Sequence, residues 1–204
     1  MNKPEYVKEG DKLYKINTDF RVAIECNKIA QDENIGDYER ALAILYKLFG
    51  EDGLTCENQS GLLEKAIKYL SLLDDKKGVK NDFEKNFELD FAKSEGLIRS
   101  SFKFDYNYDP YELEHLHWYD FYNDLQNLSS SEFGTCCILN RIMTILNTEP
   151  SKIKDSKERS NLIKTQAELK RRYCVDNKKD MSDKEKQSVA NLYKRIGLWK
   201  GGEN

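Results

Sequence analysis

The residues best equipped for chemistry stand together: His115 and His117, the only two histidines, with Glu112, Glu114 and Asp120 around them. Imidazole and carboxylate are ligands that zinc and iron accept. Residues 111–125 carry apolar side chains at helical spacing, however, and on a helix side chains two apart point about 200° from each other, whereas ligand pairs stand three or four apart. One pair that does share a face is Glu114 with His117, but two ligands do not make a site. His117 reads as a packed or capping residue. Asp105, Asn107 and Asp109 occupy positions 1, 3 and 5 of a calcium loop, but position 6 is Pro110, where glycine makes the turn, and position 12 is Leu116, where a bidentate Glu is required. That run reads as a turn followed by a cap.

Cys26, Cys56, Cys136, Cys137 and Cys174 form no Cys-x-x-Cys pair, and an odd number of thiols fits a reducing compartment better than a disulfide framework. Cys26 and Cys137 fall on apolar faces, as small core residues do. Gly-rich phosphate loops, His-Glu-x-x-His and Gly-x-Ser-x-Gly are absent. With no activated nucleophile, general base or metal set in view, the expectation is a protein that is not an enzyme and needs no cofactor.

The elements that must position these residues are helices. The chain has 204 residues, 39% hydrophobic and 34% charged, enough for one domain with a core and too polar for a membrane protein. No segment approaches about 18 consecutive apolar residues, and the start Met-Asn-Lys-Pro-Glu lacks an apolar signal region, so membrane spanning and secretion are not expected. Charge is unevenly placed: residues 1–150 carry 18 basic and 28 acidic side chains, residues 151–204 carry 15 and 8. The basic end either neutralises the acidic body or attracts an acidic partner or nucleic acid.

Tyr6 to Ile16 alternates around Glu9-Gly10-Asp11 and predicts a short β-hairpin over residues 1–16. A first helical half, 17–73, follows. Asn17-Thr18-Asp19 caps a helix bearing Val22, Ile24, Cys26 and Ile29; Asp37 caps a second through Tyr38, Leu42, Leu45 and Phe49, stopped by Gly50; a third spans about 60–73. Residues 74–86 are almost devoid of apolar side chains and read as a charged linker. A second helical half, 87–175, contains a helix capped by Asp90, a helix over 111–125, one from Ser129-Ser130-Ser131 to Glu149-Pro150, and a basic helix over 155–174 with Leu162, Gln166, Leu169 and Tyr173 as a narrow stripe. In the extension 176–204, Ser182 and Glu185 predict a capping box before a short amphipathic helix with Leu192, and Trp199 lies beyond.

Residues 81–124 hold twelve of the 23 aromatics and eleven acidic against four basic side chains. Most of these aromatics belong in a core, and an exposed subset would serve a protein partner. The candidate contact residues are His117, Trp118 and Phe121, with Leu192 of the C-terminal helix and Trp199 just beyond it; core packing is the competing role, above all for Trp118. Acidic side chains disfavour nucleic acid on this patch. Lys164, Lys170, Arg171 and Arg172 of the basic helix are the residues that would contact phosphates in a small nucleic-acid-binding regulator.

Three stretches, taken together, resemble the bacteriophage gp-fifteen family of siphophage tail modules and prophages. They are Ile16-Asn17-Thr18-Asp19-Phe20-Arg21-Val22 after a hairpin; Asp82-Phe83-Glu84, Leu97-Ile98-Arg99-Ser100-Ser101-Phe102 and Leu116-His117-Trp118-Tyr119-Asp120-Phe121; and Asn140-Arg141-Ile142, Lys157-Glu158-Arg159 and Leu169-Lys170-Arg171-Arg172-Tyr173. The likeness covers residues 5–175. It implies a non-enzymatic morphogenesis protein of the host bacterial cytoplasm, absent from the mature virion, that acts as a tail assembly chaperone on the tape measure protein. The tail tube protein and a second copy of the chain are further candidate partners. A structural tail or head-completion component is the alternative.

Overall fold

A computed structural model describes residues 3–32, 34–71, 89–128 and 137–175. Within them the protein is all-α apart from one antiparallel N-terminal hairpin, the class that the apolar periodicity predicts. The charged stretch 74–86, Phe83, Ser129 to Ser131 and the extension 176–204 lie outside the described residues. The chain divides into two units. The described part of the first comprises residues up to 71 together with His117–Tyr119; that of the second comprises residues 89–116 and 120–175.

In the first unit, β1 (Tyr6–Glu9) and β2 (Lys12–Lys15) pair with Val7 opposite Tyr14 and Lys8 opposite Leu13. Gly10 opens the two-residue loop at φ 58, the positive φ that a hairpin turn asks of its first residue. The pleat sends Tyr14 inward, edge-on to Phe49 at 6.2 Å between ring centroids, and turns Leu13 out to solvent. Two strands alone are marginal. This pair is held because Lys65 of a later helix reaches the Lys8 carbonyl and the Glu9 carboxylate.

The helices of this unit are α1 (Phe20–Gln31), α2 (Asp37–Phe49), α3 (Glu51–Leu54) and α4 (Gln59–Leu70). Asp19 caps α1, accepting the Arg21 N–H at 2.9 Å, and Asn58 caps α4, accepting the Gly61 N–H at 3.2 Å. Asp37 does not cap α2 as the sequence suggests. Gly36 holds that position, and Asp37 is the first helical residue, where its charge still suits the helix N-terminus. Gly50 ends α2 at φ 64, ψ −149, a conformation essentially confined to glycine, and α3 starts at once. Phe20, Cys26, Leu45, Leu48, Leu62 and Ala66 form the buried centre.

In the second unit, Asp90 closes a turn rather than a helix, accepting the Ala92 and Lys93 N–H groups at 3.0 and 3.1 Å. The helix it was expected to cap, α5 (Glu95–Tyr106), begins after Ser94 and stops at Asn107 in the left-handed region, φ 57, which asparagine tolerates at a helix end. Asp109 then accepts the Tyr111 N–H at 3.0 Å and caps a single 3₁₀ turn, Pro110–Glu112. The continuous helix expected over 111–125 is not formed: residues 113–117 are non-helical and α6 covers only Trp118–Gln126. Next comes α7 (Ile138–Asn147), whose cap is the Cys137 sulfur at 3.4 Å from the Asn140 N–H.

After a 3₁₀ turn, Pro150–Lys152, Asp155 caps α8 (Ser156–Tyr173) by accepting the Glu158 N–H at 2.7 Å. Arg159, Leu162, Gln166, Leu169 and Tyr173 are half-buried and every other residue of α8 is exposed. That three-four spacing is the seam of a helix packed on one neighbour. The neighbour is α7: Gln166 Nε2 donates to the carbonyls of Ile145 and Thr148 at 2.8 and 2.7 Å. Ile98, Phe102, Phe121, Leu125 and Leu139 fill the centre of this unit.

Candidate protein-binding surface

The segment with the two histidines is fixed by backbone pairing, which local periodicity does not reveal. His117 forms an antiparallel bridge with Asp19, and the Trp118 N–H donates to the Thr18 carbonyl at 2.8 Å. Two of the stretches singled out in the sequence, Asn17 to Arg21 and His117-Trp118, thus meet in the first unit. On one side Asp19 grips the Arg21 guanidinium through both oxygens, Nε to Oδ1 at 2.8 Å and Nη2 to Oδ2 at 2.6 Å, a geometry that only the planar fork of Arg provides. On the other, His117 Nδ1 accepts the Tyr119 N–H at 3.1 Å, so His117 serves as the capping residue of α6. Trp118 is 2% exposed and its indole N–H donates to the Leu70 carbonyl at 3.2 Å. Tyr119 lies 5.4 Å from Tyr69, ring to ring.

This arrangement corrects the choice of Trp118 and Phe121 as contact residues. Trp118 is core in the first unit, and Phe121 is fully buried in the second, stacked on Phe102 at 5.5 Å with 15° between ring planes. His117 is half-buried in a capping role. Leu192 and Trp199 lie outside the described residues. The premise that His115 and His117 share a helix also fails, since neither is helical. Among the described residues, no group of three or more His, Cys, Asp or Glu is placed to hold a metal ion, and no helix is long and apolar enough to cross a membrane.

The calcium-like run is occupied by its own cations. The Asp109 side chain is wholly buried and meets Arg99 Nε at 2.8 Å and Lys103 Nζ at 3.2 Å. Burial by itself raises its carboxyl, but the hydrogen bonds from Arg99, the Tyr111 N–H and Lys103 outweigh that and hold it below the ordinary Asp range. Arg99 also reaches Glu95 at 3.2 Å. Tyr108 donates to an Asp124 carboxylate oxygen at 2.6 Å and Tyr106 to the Asp124 carbonyl at 2.8 Å. Tyr106, Tyr108, Asp109 and Asp124 thus form a polar frame around the Phe102–Phe121 core, while Phe104 of the same stretch is 63% exposed.

Further exposed apolar side chains stand outside that stretch. On α2, Tyr38 and Tyr46 are 68% and 52% exposed, and half-buried Leu42 lies between them at i+4. Sequence reading placed Tyr38 and Leu42 with the core-facing residues because their spacing fits. They lie on the flank of the stripe, which drifts round the helix by about 40° at each four-residue step. On the hairpin, the outward face shows Tyr6 and Leu13 with Lys8 and Lys15 opposite them in the register.

An all-helical protein, joined to one small hairpin and showing apolar side chains on separate helices, is the class these features define. The chain matches the family described as Bacteriophage Gp15 protein over residues 4–171, and it belongs to that family. No curated protein and no solved structure matches it.

Proposed function

We propose that the chain is a phage tail morphogenesis protein, a tail assembly chaperone that binds the tape measure protein and keeps it soluble until the tail tube polymerises. Family membership supports the phage setting. The observation that carries the chaperone reading is the pair of exposed tyrosines Tyr38 and Tyr46 on α2, with half-buried Leu42 between them. A long helical client with apolar stripes aggregates unless those stripes are covered, and a row of anchors at i, i+4 and i+8 on a helix fits an amphipathic helix laid beside it. Binding is reversible and involves no bond-making, so the protein acts without a cofactor, in the host bacterial cytoplasm, and leaves before the virion is complete.

Co-expression with the tape measure gene of the same tail module tests this. The expected result is a soluble complex recovered through a tag on either protein, lost when Tyr38→Asp and Tyr46→Asp are introduced together into a chain that keeps its helical circular dichroism. An insoluble tape measure in both cases overturns the reading. Recovery of the protein in purified virions makes it a structural component instead.

A further inference from the structure

Helix α8 presents a second surface, independent of the α2 stripe. Its half-buried seam runs through Arg159, Leu162, Gln166, Leu169 and Tyr173. Lys157, Lys164 and Arg171 are all exposed and lie seven residues apart on the opposite face. Seven residues are close to two turns, so these cations form a nearly straight row, about 10.5 Å apart and about 21 Å long. None of the three is in an ion pair with a described residue. Arg172, by contrast, is neutralised by Glu168 at 2.5 Å. Beside the row, Ile163 is half exposed and Ala167 follows it one turn on.

We infer that this face of α8 docks an acidic amphipathic helix of another protein, with carboxylates at heptad spacing against Lys157, Lys164 and Arg171 and an apolar edge against Ile163 and Ala167. The charge is complementary and the period is the one a second helix alongside would supply. Nucleic acid fits less well. A duplex backbone winds away from a straight row, and phosphates gain nothing from Ile163. The inference goes beyond the chaperone reading and holds whichever protein supplies the helix.

The test uses the full chain and fluorescent helical peptides of three heptads, one with Glu at each seventh position beside Leu, one of the same composition scrambled. Anisotropy titrations at low salt should show the matched peptide binding on the order of tenfold tighter than the scrambled one, with the difference shrinking as salt rises. Lys157→Glu, Lys164→Glu and Arg171→Glu together should erase the preference, and a peptide with Lys in place of Glu should restore it on that variant. Lys28→Glu, an exposed change on α1, should leave it unchanged. Equal affinity for both peptides, or no binding to either, overturns the inference. So does tighter binding of a duplex DNA of about 20 base pairs that the triple variant loses. Self-association in sedimentation that the triple variant abolishes would assign the face to a second copy and overturn it as well.

Discussion

Phe102 of α5 and Phe121 of α6 lie face to face, centroids 5.5 Å apart and ring planes 15° apart, both wholly shielded from solvent. Phe91 and Tyr106 pack on the same pair, at 6.2 Å from Phe121 and 5.5 Å from Phe102. Phe121→Ala should therefore cost about 3–5 kcal/mol, and Phe121→Leu distinctly less because most of the volume is kept. Urea unfolding followed by circular dichroism would show it. A loss within about 0.5 kcal/mol for Phe121→Ala would return Phe121 to the surface.

The α2–α3 junction should tolerate no side chain at two glycines. A Cβ on Gly53 would stand 2.6 Å from the Leu45 carbonyl oxygen and 3.0 Å from Phe49 Cβ, neither of which is the free end of a flexible chain. Gly53→Ala should destabilise by about 1–3 kcal/mol through overpacking. Gly50→Ala meets open space, yet it should cost a similar amount, about 1–3 kcal/mol, because its backbone conformation excludes a Cβ. Thermal melts of both variants should fall. An unchanged melt for Gly53→Ala would mean that α3 is placed elsewhere.

Cys26, Cys56, Cys137 and Cys174 are free and buried. Burial pushes the Cys26 thiol up to about 12, and a thiolate is what alkylating reagents attack. Native protein at pH 8 should leave Cys26 unlabelled by iodoacetamide over a period in which denatured protein labels fully, as read by peptide mass spectrometry. Equal labelling rates would contradict its position in the core.

Stability should decline in alkali. Tyr14 is raised to about 12, chiefly by its hydrogen bond with Cys56, Tyr106 to about 12 by burial, and Cys26 likewise. A group raised in the folded state contributes fully below its unfolded value, about 8.5 for Cys and 10 for Tyr, and loses that contribution as pH climbs through the folded one. The melting temperature should therefore fall between about pH 9 and pH 12. A flat profile over that window would contradict these burials.

Asp109 acts at the other end of the scale. Its carboxyl is held low, so its contribution is present above the unfolded value near 3.9 and disappears as pH drops through the folded one. Asp109→Asn, which keeps an oxygen for the Tyr111 N–H but not the charge facing Arg99 and Lys103, should lower stability at pH 7 and flatten its fall towards pH 3. Parallel wild-type and variant curves would show that the carboxylate contributes nothing there.

The local signals were readable where neighbours in sequence settle the matter. Alternation around Gly10 specifies the hairpin, Gly50 stops α2, Asp19 caps α1, and the three-four spacing of Leu162, Gln166, Leu169 and Tyr173 marks the seam of α8. The helix expected over 111–125 misled because Leu113, Leu116, Trp118 and Phe121 have helical spacing while the Trp118 N–H is committed to Thr18 and His117 to Asp19. A backbone bond to a distant strand of sequence leaves no local periodicity. The contact candidates were misjudged for a related reason: an aromatic side chain has the same type whether it fills a core or faces a partner.

By itself, then, the sequence determined the helical class, the hairpin, the cap at Asp19, the stop at Gly50 and the kinship to the phage family, since propensity, capping and motif order are properties of short stretches. Only the tertiary structure decided that Trp118 and Phe121 are interior, that Asp109 is enclosed by Arg99 and Lys103, and that Tyr38, Tyr46 and the row Lys157, Lys164 and Arg171 face water. Burial is set by which elements come to lie against one another, and that depends on contacts between residues far apart in the chain.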